Sequence, residues 1–286
     1  MKRPLLSSFL PAILLAVLFG CTGKTASPPP SKPAQNEPTV QEDTGDAPEI
    51  GEQVAPQPVS EPSRPVEDGV RLRFRPEKGK IWKYELRSDV VVAFDTAYLR
   101  PSDTQDVKTG FDVGFEVDVR EAAKEVRTLR FVSGPITLEN GGQSPPQEAQ
   151  IKIDDRGRPI TAPTGMLAGL LLVGVLPFPE SGLEAGSAWS TTSVRSSVAG
   201  DAEIEETYTL VGREKRHGRD AYRIKMVAKS QDGSISMEGT YFVDVSDGML
   251  ISAELTQKAR TDRATHPTRG EIPALMTAKT VVSIKE

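Results

Sequence analysis

Phe111-Asp112-Val113-Gly114-Phe115-Glu116-Val117-Asp118-Val119-Arg120 is the stretch that decides the fold. Phe111, Val113, Phe115, Val117 and Val119 face one way; Asp112, Glu116, Asp118 and Arg120 face the other. A period of two with one apolar and one charged face is the mark of an antiparallel strand, dry on one side and wet on the other. A parallel sheet, covered on both faces, would read as continuous apolar runs.

The same alternation recurs outward in both directions. Trp82, Tyr84 and Leu86 alternate with Lys83, Glu85 and Arg87, and Tyr222, Ile224 and Met226 with Arg223 and Lys225. Ile235, Met237, Tyr241, Val243 and Val245 oppose Ser234, Ser236, Glu238 and Asp244, and Met249, Ile251, Ala253 and Leu255 oppose Ser252 and Glu254. Turn chemistry lies between such runs at Asp154-Asp155-Arg156-Gly157, Arg216-His217-Gly218-Arg219 and Ser246-Asp247-Gly248, with glycine where a positive φ is needed. These read as hairpins. The pattern predicts about ten strands, near 70–75, 80–95, 107–120, 124–133, 148–154, 188–198, 203–212, 220–229, 234–245 and 249–259, with a further one over 278–284. The fold class expected is mainly β: a single antiparallel, strongly curved sheet carrying one inserted helix.

That helix is read from Thr164 to Leu176, an uncharged run bracketed by Pro163 and Pro177, with Thr164 as its cap. Apolar nearly all round, it must be covered on most sides. It is either a core helix lying on the dry face of the sheet or a lid over a lipid-sized cavity. The candidate apolar ligand-binding residues are Met166, Leu167, Leu170, Leu171 and Val173 on this segment, with Trp82, Tyr84 and Phe115 on the sheet.

The N-terminal part of the chain reads differently. Lys2 and Arg3 precede an apolar run from Leu10 to Phe19, too short for a membrane span of about 20 residues and right for a secretory signal. The chain's one cysteine, Cys21, follows Gly20 where the cleaved product would begin. Leu18-Phe19-Gly20-Cys21 resembles the lipobox of bacterial lipoproteins. That resemblance implies lipidation of Cys21, a signal peptide over 1–20, and anchoring in the cell envelope. Thr22, where an Asp would resemble an inner-membrane retention signal, leans the expectation to the outer membrane facing the periplasm if the host is a diderm. Two or more acyl chains anchor stably where one gives only reversible binding. Residues 22–66 hold ten prolines, no aromatic, seven acidic and three basic residues, a composition expected to stay disordered as a linker over 21–66. The antiparallel β domain is expected over 67–286.

Composition excludes several functions. The hydrophobic fraction of 37% is below the roughly 45–50% of globular chains, a figure that counts Gly, and fits a long unpacked stretch. A formal net charge of −5 argues against a nucleic-acid binder. One Cys and two His leave little for a disulfide framework, a zinc site or a His-dependent triad. No nucleophile-elbow, zincin, Walker A or dinucleotide motif occurs. His217, in a turn, and His266, before Pro267, read as solvated loop residues. Arg71, Arg73 and Arg75 read as the wet side of the first strand, opposite Leu72 and Phe74. No catalytic residue, metal site or cofactor is expected.

The long antiparallel sheet, the apolar helix and the lipid anchor together resemble the half-barrel LolA/LolB-like lipoprotein carriers of the bacterial envelope. Three phrases also resemble a group of uncharacterised bacterial lipoproteins. They are Lys78-Gly79-Lys80-Ile81-Trp82-Lys83-Tyr84, then Leu176-Pro177-Phe178-Pro179 with Ala185-Gly186-Ser187-Ala188-Trp189, and Tyr241-Phe242-Val243-Asp244 through Gly248-Met249-Leu250. The resemblance implies a concave apolar surface suited to acyl chains. Two functions follow as expectations: a non-catalytic module binding a lipid or lipoprotein, or a structural or interaction lipoprotein with a solid core. The oligomeric state is left open.

Overall fold

The computed structural model describes residues 69–123, 125–138, 142–161, 175–197 and 200–285. They form β1 (Ile81–Phe94), β2 (Asp106–Ala122), β3 (Val126–Ser133), β4 (Ile136–Leu138), β5 (Gln143–Ser144), β6 (Gln147–Asp154), β7 (Ala188–Ser197), β8 (Gly200–Arg216), β9 (Arg219–Ser230), β10 (Ile235–Asp244), β11 (Leu250–His266) and β12 (Gly270–Lys285). Among the described residues the only helical element is a 3-10 turn at Thr96–Tyr98. All pairings are antiparallel and join the strands into one open 12-stranded sheet, in the order β5-β4-β2-β1-β12-β11-β10-β9-β8-β7, with β3 on β2 and β6 on β3.

β4 prolongs β3 past Gly134-Pro135, and β5 leads into β6 across Pro145-Pro146. Each proline lacks the N–H that a continuous ladder would need, so each ribbon is split. The architecture is therefore ten ribbons, and chain closure comes from β1 pairing with β12, from Lys83↔Lys285 to Phe94↔Ala274. The edges are β5–β6 on one side and, among the described residues, β7 on the other.

The sheet is strongly curled. Laid flat, ten ribbons would span roughly 43 Å. Yet Trp189 at the start of β7 donates its indole N–H to the Pro177 carbonyl at 2.7 Å, and the next residue, Phe178, donates its backbone N–H to Arg156, just past β6, also at 2.7 Å. Two consecutive residues thus bridge opposite edges at the end where β1 begins, called the lower end below.

A strap seals that end. Val70 exchanges backbone hydrogen bonds with Leu183, Phe74 donates to Asp155 and Arg75 donates to Asp247. Leu72, Phe74, Val175, Leu176, Phe178 and Leu183 are buried beneath it. Each such side chain contributes about 1.5–3 kcal/mol by leaving water. Two turn glycines admit close backbone approach here, one from the 70–75 strap and one from Leu176. A Cβ on Gly248, whose φ is 74°, would stand 2.2 Å from the Arg73 carbonyl oxygen, and one on Gly157, also at 74°, 2.2 Å from that of Leu176.

Several expectations are corrected. Residues 70–75 form no strand: they run extended with alternating burial, but their backbone bonds go to three different elements, so no ladder forms. Arg73 is accordingly not a free surface cation; it donates to the Leu72 and Pro179 carbonyls and lies 3.5 Å from the Asp155 carboxylate. Among the described residues the Asp154–Gly157 turn leads into no second strand; the chain folds back on β6 through an Ile153↔Pro159 bridge and the Ile160 N–H to Lys152 carbonyl bond at 2.7 Å. The turns at 216–219 and 245–249 are hairpins as expected, the first with both His217 (φ 47°) and Gly218 (φ 71°) left-handed. β12 begins at Gly270, eight residues before the expected start, because Ala264, His266 and Ile272 carry the inward face there with little hydrophobic contrast.

The inserted helix expected over 164–176 has no support: Val175 and Leu176, its only described residues, are buried but not helical. The rest of that segment lies outside the described residues. Cys21 and the 1–20 and 21–66 segments lie outside them as well. No helix among the described residues is long and apolar enough to cross a membrane.

Candidate functional site

The inward face is the candidate site, and the register shows it to be banded. One row across the sheet reads Leu210, Ile224, Tyr241, Ala253, Val282, Leu86 and Val113, apolar throughout. The row four residues further up reads Thr191, Glu206, Ala228, Met237, Gln257, Ala278, Val90 and Thr109, with small and polar side chains dominant. Between them Ser88 and Thr280 share a hydrogen bond of 3.0 Å, both buried. The polar row is therefore a band between apolar ones, for two residues further up the register reads Ile235, Ala259, Met276, Val92 and Val107.

Glu206 is the outstanding member. It is 4% exposed, and its carboxylate accepts from the Tyr208 hydroxyl at 2.7 Å and from the Ser193 hydroxyl at 3.2 Å. The Tyr208 ring stacks on Trp189 with centroids 5.5 Å apart and lies 6.4 Å from Tyr241. A buried carboxylate is tolerated only when hydrogen-bonded, which these donors provide. Sequence reasoning missed it, although the signal was present: Ile204, Tyr208 and Leu210 set a period that puts Glu206 on the same face.

The three sheet residues expected to line a ligand site do come together, at the sealed lower end. Tyr84 and Phe115 are cross-strand partners whose rings stack at 5.0 Å and 17°. The Tyr84 hydroxyl donates to the Leu250 carbonyl at 2.8 Å, and burial pushes its phenol well above the ordinary value, with Asp247 adding to the rise. Trp82 lies under the Lys80 ammonium, 5.0 Å from the ring centroid, while Lys80 itself pairs with Asp247 at 3.0 Å. All three are 5% exposed or less. Met166, Leu167, Leu170, Leu171 and Val173 lie outside the described residues.

The two histidines differ from each other. His217 is exposed in its turn, as expected. His266, expected in solvent, is 2% exposed and packs edge-on against Phe94 at 4.6 Å. Its Nδ1 accepts from the Thr268 backbone N–H at 3.1 Å, which leaves Nε2–H to donate to the Thr104 carbonyl at 2.8 Å. The ring ties the 95–105 loop over the upper end, a tertiary role that its flanking polar sequence hides. Among the described residues no group of three His, Cys, Asp or Glu side chains is placed to hold a metal ion.

No family model matches the chain, and no curated protein matches it. Among solved structures, the hypothetical lipoprotein YmcC of Escherichia coli aligns at 13% identity over 67% of this chain and 82% of that one, with a TM-score of 0.25. A putative exported protein of YmcC-like fold from Bacteroides fragilis aligns at 9% identity over 76% of this chain and 100% of that one, with a TM-score of 0.30. DynF, from the dynemicin biosynthesis pathway of Micromonospora chersina, aligns at 10% identity over 79% and 87%, with a TM-score of 0.22. Similarity at this level assigns no function, and it does not bear on the carrier resemblance read from the sequence.

Proposed function

We propose that the chain is an envelope lipoprotein anchored through a lipidated Cys21, whose curled sheet is a non-catalytic binding module for an apolar ligand such as a lipid or a lipidated protein. The observation that supports this is a polar band set directly beside an apolar one on the inward face. An amphiphile needs an apolar bed for its chains and hydrogen-bonding groups for its head, and the rows through Tyr241 and through Glu206 supply these in order. The half-barrel carrier resemblance supports the same reading. An outer-membrane position facing the periplasm follows for a diderm host. The reading as non-catalytic is supported by His266, whose two ring nitrogens are both committed to backbone groups.

The test uses the full chain carrying Cys21→Ser, which removes the protein's own acyl chains. Native mass spectrometry and solvent extraction should find a co-purifying amphiphile, and an empty protein in repeated preparations would overturn the reading. Cys21→Ser should also move the protein from the detergent phase to the aqueous phase; unchanged partitioning would refute the anchor.

One observation favours the alternative, a structural or interaction lipoprotein with a filled interior. Trp82, Tyr84 and Phe115, expected from the sequence as ligand contacts, are packed into the sealed end, Tyr84 also through its hydrogen bond to Leu250. Replacing Leu170 and Leu171 with Gln separates the two readings. Loss of folding indicates a solid core, whereas a folded protein that no longer retains lipid indicates a cavity.

A further inference from the structure

The outward face of the sheet is not uniformly convex. Over β9, β10, β11 and β12 it carries a groove of about 550 Å³, continued by a recess of about 180 Å³ toward the upper end. The register places outward side chains of four neighbouring strands along it. Lys225, Thr240, Glu254 and Val281 make one row, and Val227, Glu238, Thr256 and Lys279 the next. Lys229, Ser236 and Lys258 continue it. Val227 and Val281 are 51% and 49% exposed.

Charge in the groove is unbalanced. Lys225, Lys229, Lys258 and Lys279 are exposed, and among the described residues no ion pair or hydrogen bond engages their ammonium groups. Against these four stand Glu238 and Glu254 in the groove, with Glu205 and Asp89 cross-strand from Lys229 and Lys279 at its margins; Glu254 is already paired with Arg216 at 3.0 Å and Asp89 with Arg87 at 3.3 Å. Arg216 is in turn fixed over the Phe242 ring at 4.5 Å. The surface is a shallow cationic trough with two apolar spots.

A complementary segment lies in the same chain. Residues 37–52, Glu37-Pro38-Thr39-Val40-Gln41-Glu42-Asp43-Thr44-Gly45-Asp46-Ala47-Pro48-Glu49-Ile50-Gly51-Glu52, hold six carboxylates, no Lys or Arg, and two branched apolar side chains. Its reach is right. Residues 53–68 separate it from the strap, and as coil they span roughly 22 Å. The strap begins at the lower end, where Val70 bonds to Leu183, and Lys225 stands six residues along β9 from that end, roughly 20 Å. Tethering at this distance gives an effective concentration of about millimolar, so weak individual pairs suffice.

We propose that the acidic segment 37–52 docks in cis into the groove formed by Lys225, Lys229, Lys258 and Lys279. The linker is then no simple spacer: it holds the domain close to its own N-terminal anchor and covers the trough. The inference is independent of what the inward face binds.

Zero-length carbodiimide coupling of the full-length Cys21→Ser protein, followed by peptide mapping, tests it. Amide links from carboxylates 37–52 should concentrate on the four groove lysines and fall at least about five-fold in 0.5 M salt, as screening requires. A dye on Ala47→Cys, the sole cysteine in that background, should gain rotational freedom when Lys225→Glu and Lys279→Glu are introduced. Both lysines are exposed, so unchanged circular dichroism and Tm serve as the folding control. Links spread evenly over Lys83, Lys108 and Lys152, links found only between differently labelled copies, or a dye signal indifferent to the groove substitutions would each overturn the proposal.

Discussion

The indole N–H of Trp189 and the carbonyl of Pro177, 2.7 Å apart, hold one edge of the sheet to the loop that also touches the opposite edge. The two residues are twelve apart in sequence and, with the Phe178 to Arg156 bond, mark a seam that bridges the two edges of the sheet. Removing the donor leaves the Pro177 carbonyl short of a partner. Trp189→Phe, which keeps most of the ring's stacking on Tyr208, is expected to cost about 1 kcal/mol. Hydrogen exchange should locate the loss: amides of β7 and of residues 178–187 should exchange faster, while β1 and β2 amides are unchanged. Uniform acceleration throughout would show that the seam is not a distinct unit.

The strap makes a sharper prediction through two glycines with nearly the same backbone. Gly218 and Gly248 have φ of 71° and 74°, so alanine at either bears the same left-handed strain, about 1–2 kcal/mol. Only at Gly248 would the new methyl meet the Arg73 carbonyl oxygen; at Gly218 nothing lies within 4 Å. Gly248→Ala should therefore destabilise the protein well beyond Gly218→Ala, by about 2 kcal/mol more. Urea unfolding of the two variants checks it, and equal midpoints would show that the strap does not press on this turn.

Acid should weaken the domain through a defined set of carboxylates. The Ser230 hydroxyl, then the N–H and hydroxyl of Ser234, hold Asp232 down at about 2. The Arg130 side chain depresses Glu148. The Arg100 N–H and the Arg269 side chain depress Asp103 in spite of some burial. At Asp154 burial pushes upward but is outweighed by the Arg158 N–H, the Arg158 side chain and the Arg156 N–H. A carboxylate lowered on folding contributes stability above its unfolded value, near 4, and loses it as pH falls through the folded one. The urea midpoint should hold from pH 7 to about 5 and then decline toward pH 2. Asp232→Asn should flatten the lowest part of that decline, and a midpoint level from pH 5 to 2.5 would contradict the assignment.

The upper end is predicted to depend on His266. Replacing it with Ala removes the bonds to Thr104 and Thr268 and the contact with Phe94, and should cost about 2–4 kcal/mol. Faster exchange at Phe94 and in the 95–105 loop, with the lower end protected, would confirm the ring as a clasp. A variant as stable as the parent would return His266 to the solvated role that its sequence context implies.

The strands were legible because burial on one face only writes itself into the chain as a period of two. Phe111–Val119 and Tyr222–Met226 state this without any tertiary information. The signal fades wherever the inward side chain is small or polar, at Thr261 to His266 and along Ala274 and Ala278, and there the sequence understated β11 and β12. Residues 70–75 show the converse error: their alternation is real, but it reports burial under a sheet end, not membership of a ladder.

Local sequence therefore determined which side of each ribbon is dry, where the chain turns, and that an acidic, proline-rich stretch precedes the domain. Pairing β1 with β12 and bridging the edges through Pro177 and Phe178 were decided only by the tertiary structure. Those contacts join residues far apart in the chain, and alternation constrains which face a side chain takes but not which strand lies beside it.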